Sequence, residues 1–167
     1  EIGPGRGTLM ADILRAIRIV PGMHEAAQVT LIEASPHLRQ VQRDKLGDIG
    51  HLDSAVDLPD KPLFLIANEF FDALPIRQLQ RVEQGWAERV VHLTHMGDLT
   101  LGLTAPTPGP EAPLGQIRES CPEATPIVTQ IAGRIATHGG LAIFIDYGNW
   151  QGWGDTFQAL RHHMPED

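Results

Sequence analysis

Apolar residues recur in two different patterns near the start of the chain. Residues 9–20 repeat at helical spacing, with Thr8 placed to cap the predicted helix. Residues 28–32 (QVTLI) predict a short buried strand. Ser35, which is followed directly by proline, is the expected N-cap of a second helix that ends near Gly47. A turn, a helix, a strand and a helix in this order are typical of a parallel α/β sheet.

Two longer apolar runs predict central strands. Residues 62–67 and 141–145 contain no polar side chain, which is typical of strands covered on both faces. Between them, residues 127–137 repeat at helical spacing. Residues 49–52 are predicted to form a further short strand, and residues 156–162 a last strand, with a helix as the alternative there.

The pattern of hydrophobic and polar residues changes in the middle of the chain. Residues 78–82, 86–93 and 99–103 are strand-like and are separated by two short turns. They predict an antiparallel β-meander over residues 77–104. Residues 105–125 contain several prolines and are predicted to form a surface loop.

Together these elements predict an α/β protein with a doubly wound, Rossmann-like sheet. Residues 1–76 and 126–167 would form its core, and the meander and the proline-rich loop would be inserted between them, in a single domain over residues 1–167. The chain begins at a glycine-rich turn without the strand that should precede it. We therefore expect the chain to be truncated at its N-terminus.

Composition narrows the functional classes. The 167 residues carry a formal net charge of −8, with a pI of about 5.4, so a broad nucleic-acid-binding face is not expected. The single cysteine, Cys121, excludes an internal disulfide and a cysteine-cluster metal site, and the eight histidines form no ligand set. No apolar run has membrane-spanning length. Neither a metal site nor membrane insertion is therefore expected.

The glycine-rich turn predicts a cofactor site. Gly3, Gly5 and Gly7 follow Glu1 in the pattern E-x-G-x-G-x-G, whereas dinucleotide-binding turns use G-x-G-x-x-G and phosphate-binding loops need a Gly-Lys pair. This spacing disfavours an NAD-binding oxidoreductase and suits S-adenosyl-L-methionine, which has no phosphate and needs close approach to the backbone. The Glu1 carboxylate is placed to meet the ammonium group of that cofactor, directly or through water. A glycine-rich turn without a ligand is the alternative.

Two acids at predicted strand ends fit the adenosine part of such a cofactor. Glu33 follows the strand 28–32, where a carboxylate can accept hydrogen bonds from both ribose hydroxyls, as in dinucleotide folds. Asp53 follows the strand 49–52 and is placed to accept from the adenine amino group. For each of them, a solvated acid at a strand end is the alternative.

Polar and aromatic residues follow the first central strand, at the edge where open α/β sheets bind ligands. Asn68 and Glu69 are predicted to lie in the site, and Phe70 and Phe71 to wall a substrate pocket. The carboxylates of Glu69 and Asp72 would hold a cationic or amide-like nucleophile. The alternative is that the phenylalanines belong to the core and that Asp72 caps a turn.

Asp146 and Tyr147 end the second central strand and are predicted to line the same cleft. Packing of Tyr147 without a role in binding is the alternative. A hydrolase is disfavoured, because the sequence contains no G-x-S-x-G elbow and Cys121 has no evident base partner.

These motifs resemble those of the MidA-like S-adenosyl-L-methionine-dependent methyltransferases. The resemblance covers nearly the whole chain, and its motifs occur in order at 1–10 (EIGPGRGTLM), 68–76 (NEFFDALPI), 145–148 (IDYG) and 154–156 (GDT). The second motif is the most specific. The resemblance implies a class I methyltransferase fold with the meander as an insertion. Members of the family are about twice as long, which implies missing segments on both sides of this chain.

The resemblance also implies roles for individual residues. The glycine-rich turn matches the S-adenosyl-L-methionine loop, and Glu33 matches the ribose acid. Asn68 and Glu69 match the place where the substrate meets the methyl group, with Asn68 on the cofactor side. If the nucleophile is a guanidinium, Glu69 would bind it bidentately, and Asp72 or Asp146 would take the released proton.

The mitochondrial member of the family methylates an arginine of a respiratory complex I subunit and assists assembly of that complex. The resemblance therefore implies protein-arginine methylation, with a complex I subunit as a candidate partner, in a bacterial cytoplasm or a mitochondrial matrix. Two alternatives stay open. One is methylation of a small molecule or of another side chain, and the other is a non-catalytic S-adenosyl-L-methionine-binding assembly factor.

Overall fold

The structure, a computed structural model, describes residues 1–148, 153–157, 159–162 and 164–166. Its helices are α1 (Thr8–Ala16), α2 (Met23–Ala26), α3 (Pro36–Leu46) and α4 (Ala124–His138). Its strands are β1 (Thr30–Ile32), β2 (Gly50–Leu52), β3 (Leu63–Asn68), β4 (Arg77–Val82), β5 (Gly85–Leu93), β6 (Leu99–Leu103), β7 (Ile117–Ser120), β8 (Gly140–Ile145), β9 (Ala159–Arg161) and β10 (Met164–Glu166). No helix among the described residues combines the length and the apolar character that crossing a membrane requires.

The chain divides into two compact units. The first unit comprises Glu1–Leu74 and Glu123–Tyr147, and the second comprises Pro75–Pro122 and Gly148–Asp167. The last twenty residues therefore group with the middle of the chain and not with the α/β core to which the sequence assigned them. Hydrogen bonds that link residues 155 and 156 to β4, β5 and β7 account for this difference.

The first unit is built on a parallel sheet. β1 pairs with β2, and β3 pairs with β8, both in parallel. Ile2 bridges Ile32 on one side and Ala67 on the other, so the start of the chain lies at the centre of the sheet. The Ile2 amide donates to the Ile66 carbonyl at 3.0 Å, and the Gly3 amide donates to the Ile32 carbonyl at 3.1 Å. The α/β prediction is confirmed.

The core of the first unit joins the sheet to α4. Ile2, Leu65 and Ala67 of the sheet and Ile131 of α4 are at most 3% exposed and pack in one cluster. α4 begins at Ala124, three residues before the predicted start, because a proline in the first turn of a helix loses no hydrogen bond. Burial of these side chains is the main stabilising term for the unit.

The central strands are less buried than their apolar sequences predict. Phe64 of β3 is 79% exposed, and Leu141 and Ile145 of β8 are 55% and 49% exposed. Coverage on both faces is therefore wrong for these strands. β8 is an edge strand in the described sheet, with β3 as its partner, and this open position leaves its side chains accessible. Phe64 and Leu141 line an apolar groove of about 690 Å³ whose other walls include α1.

The two predicted helix caps have different outcomes. Ser35 caps α3, and its hydroxyl oxygen accepts from the Leu38 amide at 3.3 Å. Thr8 does not cap α1, because the N-cap is Gly7 in the left-handed conformation, with φ of 70°. Thr8 is already the first helical residue, and its hydroxyl accepts from Nζ of Lys45.

The second unit is an antiparallel sheet in the order β6-β5-β4-β7. β4, β5 and β6 lie in the range predicted as a meander, and each pairs with its neighbour in the chain. β7 lies inside residues 105–125, so the prediction of a continuous loop is wrong there. Ile117–Ser120 forms a strand because the free edge of β4 offers backbone partners that no local pattern reveals.

Residues 153–157 attach to this sheet through both backbone and side-chain contacts, and the Gly154 amide donates to the Ile117 carbonyl at 3.1 Å. Asp155 accepts from Gln78 at 2.8 Å and from Arg89 at 2.5 Å. Glu119 of β7 accepts from the amide and the hydroxyl of Thr156 at 2.9 and 2.7 Å. The strand predicted over residues 156–162 begins only at Ala159, where β9 pairs with β10, and residue 158 lies outside the described residues.

Candidate cofactor and substrate site

The predicted site residues lie at one edge of the parallel sheet. Glu33 follows β1, Asp53 follows β2, Asn68 ends β3 and Asp146 follows β8. The glycine-rich turn directly follows Ile2, which bridges β1 and β3. Because the strands are parallel, their carboxyl ends meet at the same edge, where open α/β sheets bind ligands. The fold therefore brings the predicted cofactor and substrate residues of the first unit together.

The glycine-rich turn has two positions with left-handed backbone geometry and different surroundings. Gly3 has φ of 62°, and a Cβ atom there would lie 2.9 Å from Cδ2 of Phe70. Gly5 has φ of 51°, and a Cβ atom there would meet nothing within 4 Å. The turn is thus packed against the substrate side at Gly3 and leaves open space for a flat ligand at Gly5.

Glu1 carries a buried oxygen that lacks a donor. Its Oε2 atom has no hydrogen-bond partner among the described residues. Burial raises the pKa of the Glu1 carboxyl group. A buried acceptor without a donor costs free energy. The ammonium group of S-adenosyl-L-methionine would supply such a donor, so the residues present fit this cofactor.

Glu33 is held from two sides. Its Oε1 atom accepts from the Ser35 amide at 2.8 Å, and its Oε2 atom accepts from Nε2 of Gln42 at 3.3 Å. A carboxylate offers about four acceptor sites, and the described contacts use two of them. Glu33 therefore keeps the capacity to accept from two ribose hydroxyls.

Asp53 is exposed and paired with a cation. Its Oδ1 atom lies 2.6 Å from Nη2 of Arg39. The same guanidinium donates to the Glu33 carbonyl through Nε and to the Leu52 carbonyl through Nη2. Arg39 thus joins the carboxyl ends of β1 and β2. The predicted contact of Asp53 with the adenine amino group would use its other oxygen.

Acidic groups converge at the carboxyl ends of β3 and β8. Glu69 has φ of 48°, a strained value for a residue other than glycine, and its amide donates to the Ile145 carbonyl at 2.8 Å. Oδ1 of Asp146 accepts from the Tyr147 amide at 3.0 Å. A hydrogen bond to Asp72, with the charges of Asp72, Glu69 and Asp146, raises the pKa of the exposed Tyr147 hydroxyl. This arrangement favours a positively charged ligand group.

The aromatic residues of this stretch have two environments. Phe70 packs against the core cluster and beside Gly3, so it has the core position that was the alternative to a pocket wall. Phe71 makes edge-to-face contacts with Phe70 at 5.2 Å and with Phe144 at 5.4 Å between ring centroids. Phe71, like Phe70, is half-buried.

Two residues that contact the site were not predicted. Gln42 binds Glu33, and Arg39 joins the ends of two strands. The signal for Gln42 is its spacing, because it lies four residues from both Leu38 and Leu46, on the inward face of α3. A polar residue on an apolar helix face indicates a buried partner.

The 690 Å³ groove is lined by Glu1 but not by Glu33, Asn68 or Glu69, so it is not this site.

Comparison with known proteins gives a consistent result. The sequence profile of the family described as "Putative S-adenosyl-L-methionine-dependent methyltransferase" matches residues 1–167. "Protein arginine methyltransferase NDUFAF7, mitochondrial" from Danio rerio is 34% identical over 200 residues, covering 100% of this chain and 47% of the relative. The Homo sapiens protein of that name is 31% identical, covering 100% of this chain and 45% of the relative. The chain thus spans about half the length of these relatives.

Two solved structures from Burkholderia thailandensis have the same fold. The crystal structure of an uncharacterized COG1565 superfamily protein has a TM-score of 0.72 and 25% identity, covering 89% of this chain and 42% of that one. A COG1565 superfamily member bound to S-adenosyl-homocysteine has a TM-score of 0.67 and 24% identity, covering 89% of this chain and 41% of that one. The likeness of the second structure supports the fold.

Proposed function

Since the chain belongs to the family of S-adenosyl-L-methionine-dependent methyltransferases, we propose that the protein methylates an arginine side chain of a protein substrate. Its relatives are named as protein arginine methyltransferases, which supports the substrate class. The acidic group formed by Glu69, Asp72 and Asp146, with Tyr147, is the observation in this chain that carries the proposal. The proposal includes a class I methyltransferase fold with the meander as an insertion.

The glycine-rich turn and Glu33 would hold the cofactor in this proposal. When bound, S-adenosyl-L-methionine supplies an electrophilic methyl group on a sulfonium sulfur. Glu1 would accept from the ammonium group, Glu33 from the ribose and Asp53 from the adenine amino group, with Asn68 beside the methyl-bearing end. The contribution of these residues is alignment, because an in-line displacement depends on the placement of the reacting atoms.

The substrate side would bind the guanidinium. Glu69 can accept two parallel N–H bonds from it, which leaves the third nitrogen directed away from the carboxylate. Phe71 offers a half-buried ring on which a planar cation can stack. Tyr147 borders the same acidic group through its bond to Asp72.

Methylation of a guanidinium nitrogen releases one proton, which needs an acceptor. The new N–C bond forms as the C–S bond breaks, the electron pair goes to sulfur, and the proton leaves the nitrogen. Asp72 and Asp146 are the candidate acceptors, and both are exposed enough to pass the proton to water. Asp72 accepts from the Tyr147 hydroxyl and Asp146 from the Tyr147 amide, so each carboxylate keeps acceptor capacity for the proton.

An assembly factor without methyl transfer is the second candidate. Val91 and Leu93 of β5 face the same side as Leu99 and Leu101 of β6, because these pairs are directly opposite in the register. All four side chains are between 52% and 73% exposed. An apolar face of this kind fits a protein partner. A complex I subunit, in a mitochondrial matrix or in a bacterial cytoplasm, is the partner that the family resemblance implies.

The test is methyl transfer from labelled S-adenosyl-L-methionine to complex I subunits by the full-length protein, with the modified residue located by mass spectrometry. We expect label on arginine with the wild type. Glu69→Gln should abolish transfer and leave the calorimetric affinity for S-adenosyl-L-methionine unchanged, because the amide cannot accept a bidentate guanidinium. Glu25→Gln, an exposed acid of α2, is the matched control and should keep wild-type activity.

Three other outcomes would contradict parts of the proposal. Equal loss of transfer and of cofactor affinity in Glu69→Gln would remove its role in substrate binding. Label on another side chain or on a small molecule would show a different substrate class. Binding of cofactor and subunit without any transfer would favour the assembly factor.

A further inference from the structure

A fully buried amide side chain connects the two parts of the cofactor site. Gln42 of α3 is 0% exposed. Its Nε2 group donates to the Gly5 carbonyl oxygen at 2.7 Å and to Oε2 of Glu33 at 3.3 Å. Its Oε1 atom lies 2.8 Å from Nε2 of His51. One residue therefore contacts the glycine-rich turn, the predicted ribose acid and β2.

The partners of Gln42 fix the orientation of its amide. The Gly5 carbonyl and the Glu33 carboxylate only accept hydrogen bonds, so the NH₂ group must face both. The Gln42 oxygen then faces His51, whose Nε2 atom must carry a proton. Burial, together with the charges of Arg43 and Arg39, lowers the pKa of His51 and favours its neutral ring. The amide group of Gln42 is thus paired at both ends in one arrangement.

We propose that Gln42 is a positioning residue that makes the site selective for ligands with ribose hydroxyls, an inference that rests on the proposed contact of Glu33 with the ribose. The Ser35 amide fixes one oxygen of Glu33, and Gln42 fixes the other. The carboxylate is therefore held in one plane relative to Gly5. A group held in its binding orientation before the ligand arrives loses less entropy on binding, which increases affinity without new contacts.

Replacement of Gln42 by methionine separates positioning from packing. Methionine has nearly the same length and volume, but it cannot donate to Glu33 or to the Gly5 carbonyl. We expect Gln42→Met to lower the affinity for S-adenosyl-homocysteine about 10-fold, the scale of one net hydrogen bond. The 2′,3′-dideoxy analogue cannot use Glu33, so its affinity should change by less than about twofold.

The experiment compares calorimetric dissociation constants of both ligands for the full-length wild type, Gln42→Met and Gln40→Met. Gln40 lies on the exposed face of the same helix, so its replacement should leave both constants unchanged. Loss of the preference for the ribose ligand in Gln42→Met alone supports the proposal. An equal loss for both ligands overturns it, because Gln42 would then only support the fold.

Two further measurements complete the test. Should Gln42→Met not fold, His51→Phe removes the donor to the Gln42 oxygen and should reduce the same preference about threefold, and an unchanged preference there overturns the proposal. If the wild type does not distinguish the two ligands, the Glu33 contact fails and the positioning role with it. Methyl transfer in the labelling assay is a separate readout, so this failure is distinguishable from failure of the proposed function.

Discussion

At the scale of single residues, two glycines of one turn have the same backbone conformation and different neighbours. Gly3 and Gly5 both have positive φ, but only Gly3 would place a Cβ atom against a ring, at 2.9 Å from Phe70. Gly3→Ala and Gly5→Ala should each cost about 1–2 kcal/mol from the left-handed backbone. Gly3→Ala should cost about 1 kcal/mol more, because Phe70 must shift. Urea unfolding of both variants measures the difference.

A second background tests the contact between position 3 and the Phe70 ring. In a Phe70→Leu background the extra cost of Gly3→Ala should disappear, because the smaller side chain leaves space for the methyl group. Equal free energies of unfolding for Gly3→Ala and Gly5→Ala in the original background would contradict the role of Phe70. The geometry of the turn would then be set by the backbone alone.

At the scale of elements, the starts of α1 and α3 differ in how they are capped. The Ser35 hydroxyl accepts from the Leu38 amide, whereas Thr8 makes no cap bond and only binds Lys45 on the surface. Ser35→Ala should therefore lower the free energy of unfolding by about 1 kcal/mol. Thr8→Ala, the matched removal of a hydroxyl, should change it by less than about 0.5 kcal/mol. Thermal or urea unfolding of the two variants checks this, and equal losses would show that capping is not the cause.

The same comparison shows what the sequence could reveal. Spacing and cap residues predict α3 almost to the residue, because helix signals are local. β7 was missed, because its strand conformation depends on β4, which is distant in the chain. Thr8 was misassigned, because Gly7 takes the cap position in a conformation that only the folded turn reveals. Local signals therefore predict helices such as α3, whereas strands such as β7 depend on pairing with distant parts of the chain.

For the candidate site, too, some features could be predicted from the sequence and others could not. Acids at the ends of parallel strands could be predicted, because strand order alone places their positions at one edge. The bond between Tyr147 and Asp72 and the contacts of Gln42 could not be, because each depends on side-chain directions in the folded unit. The strained backbone of Glu69 has no signal in the sequence, since glycine is the residue that usually marks positive φ.

At the scale of the whole molecule, each unit has its own spectroscopic signal. The described α-helices all lie in the first unit, so the far-UV circular dichroism at 222 nm reports mainly on it. All three tryptophans of the sequence fall within the ranges of the second unit. Among them, Trp86 stacks on Trp153 with ring centroids 6.4 Å apart. Tryptophan fluorescence therefore reports on the second unit.

Acid destabilises the second unit. Hydrogen bonds from Arg89 and Gln78 lower the pKa of Asp155. Burial works to raise the pKa of Glu119, but hydrogen bonds from Thr156 and Gln78 outweigh it, and the net shift is downward. The unfolded chain therefore takes up these protons first, and the second unit loses stability as the pH falls below the ordinary carboxyl range, about 4, toward the lower folded values.

In the first unit, the pKa shifts of Glu1 and His51 have opposite effects on stability in acid. Burial raises the pKa of Glu1, so its folded form takes up a proton more readily than the unfolded chain does. This contribution favours the folded first unit as the pH falls through the raised value. The lowered pKa of His51 acts against it, because the unfolded chain takes up that proton first. The balance of shifts therefore makes the second unit the more acid-sensitive of the two.

An acid titration followed by both signals should separate the units. We expect the midpoint of the fluorescence change to lie at a higher pH than the midpoint of the 222 nm change, because Asp155 and Glu119 must be protonated when the second unit unfolds. Asp155→Asn removes one of these groups and should flatten the fluorescence transition, whereas Asp98→Asn, an exposed acid of the same unit, should leave it unchanged. Coincident midpoints would show that the two units unfold as one, and an earlier loss of the 222 nm signal would reverse the predicted order of their acid stability.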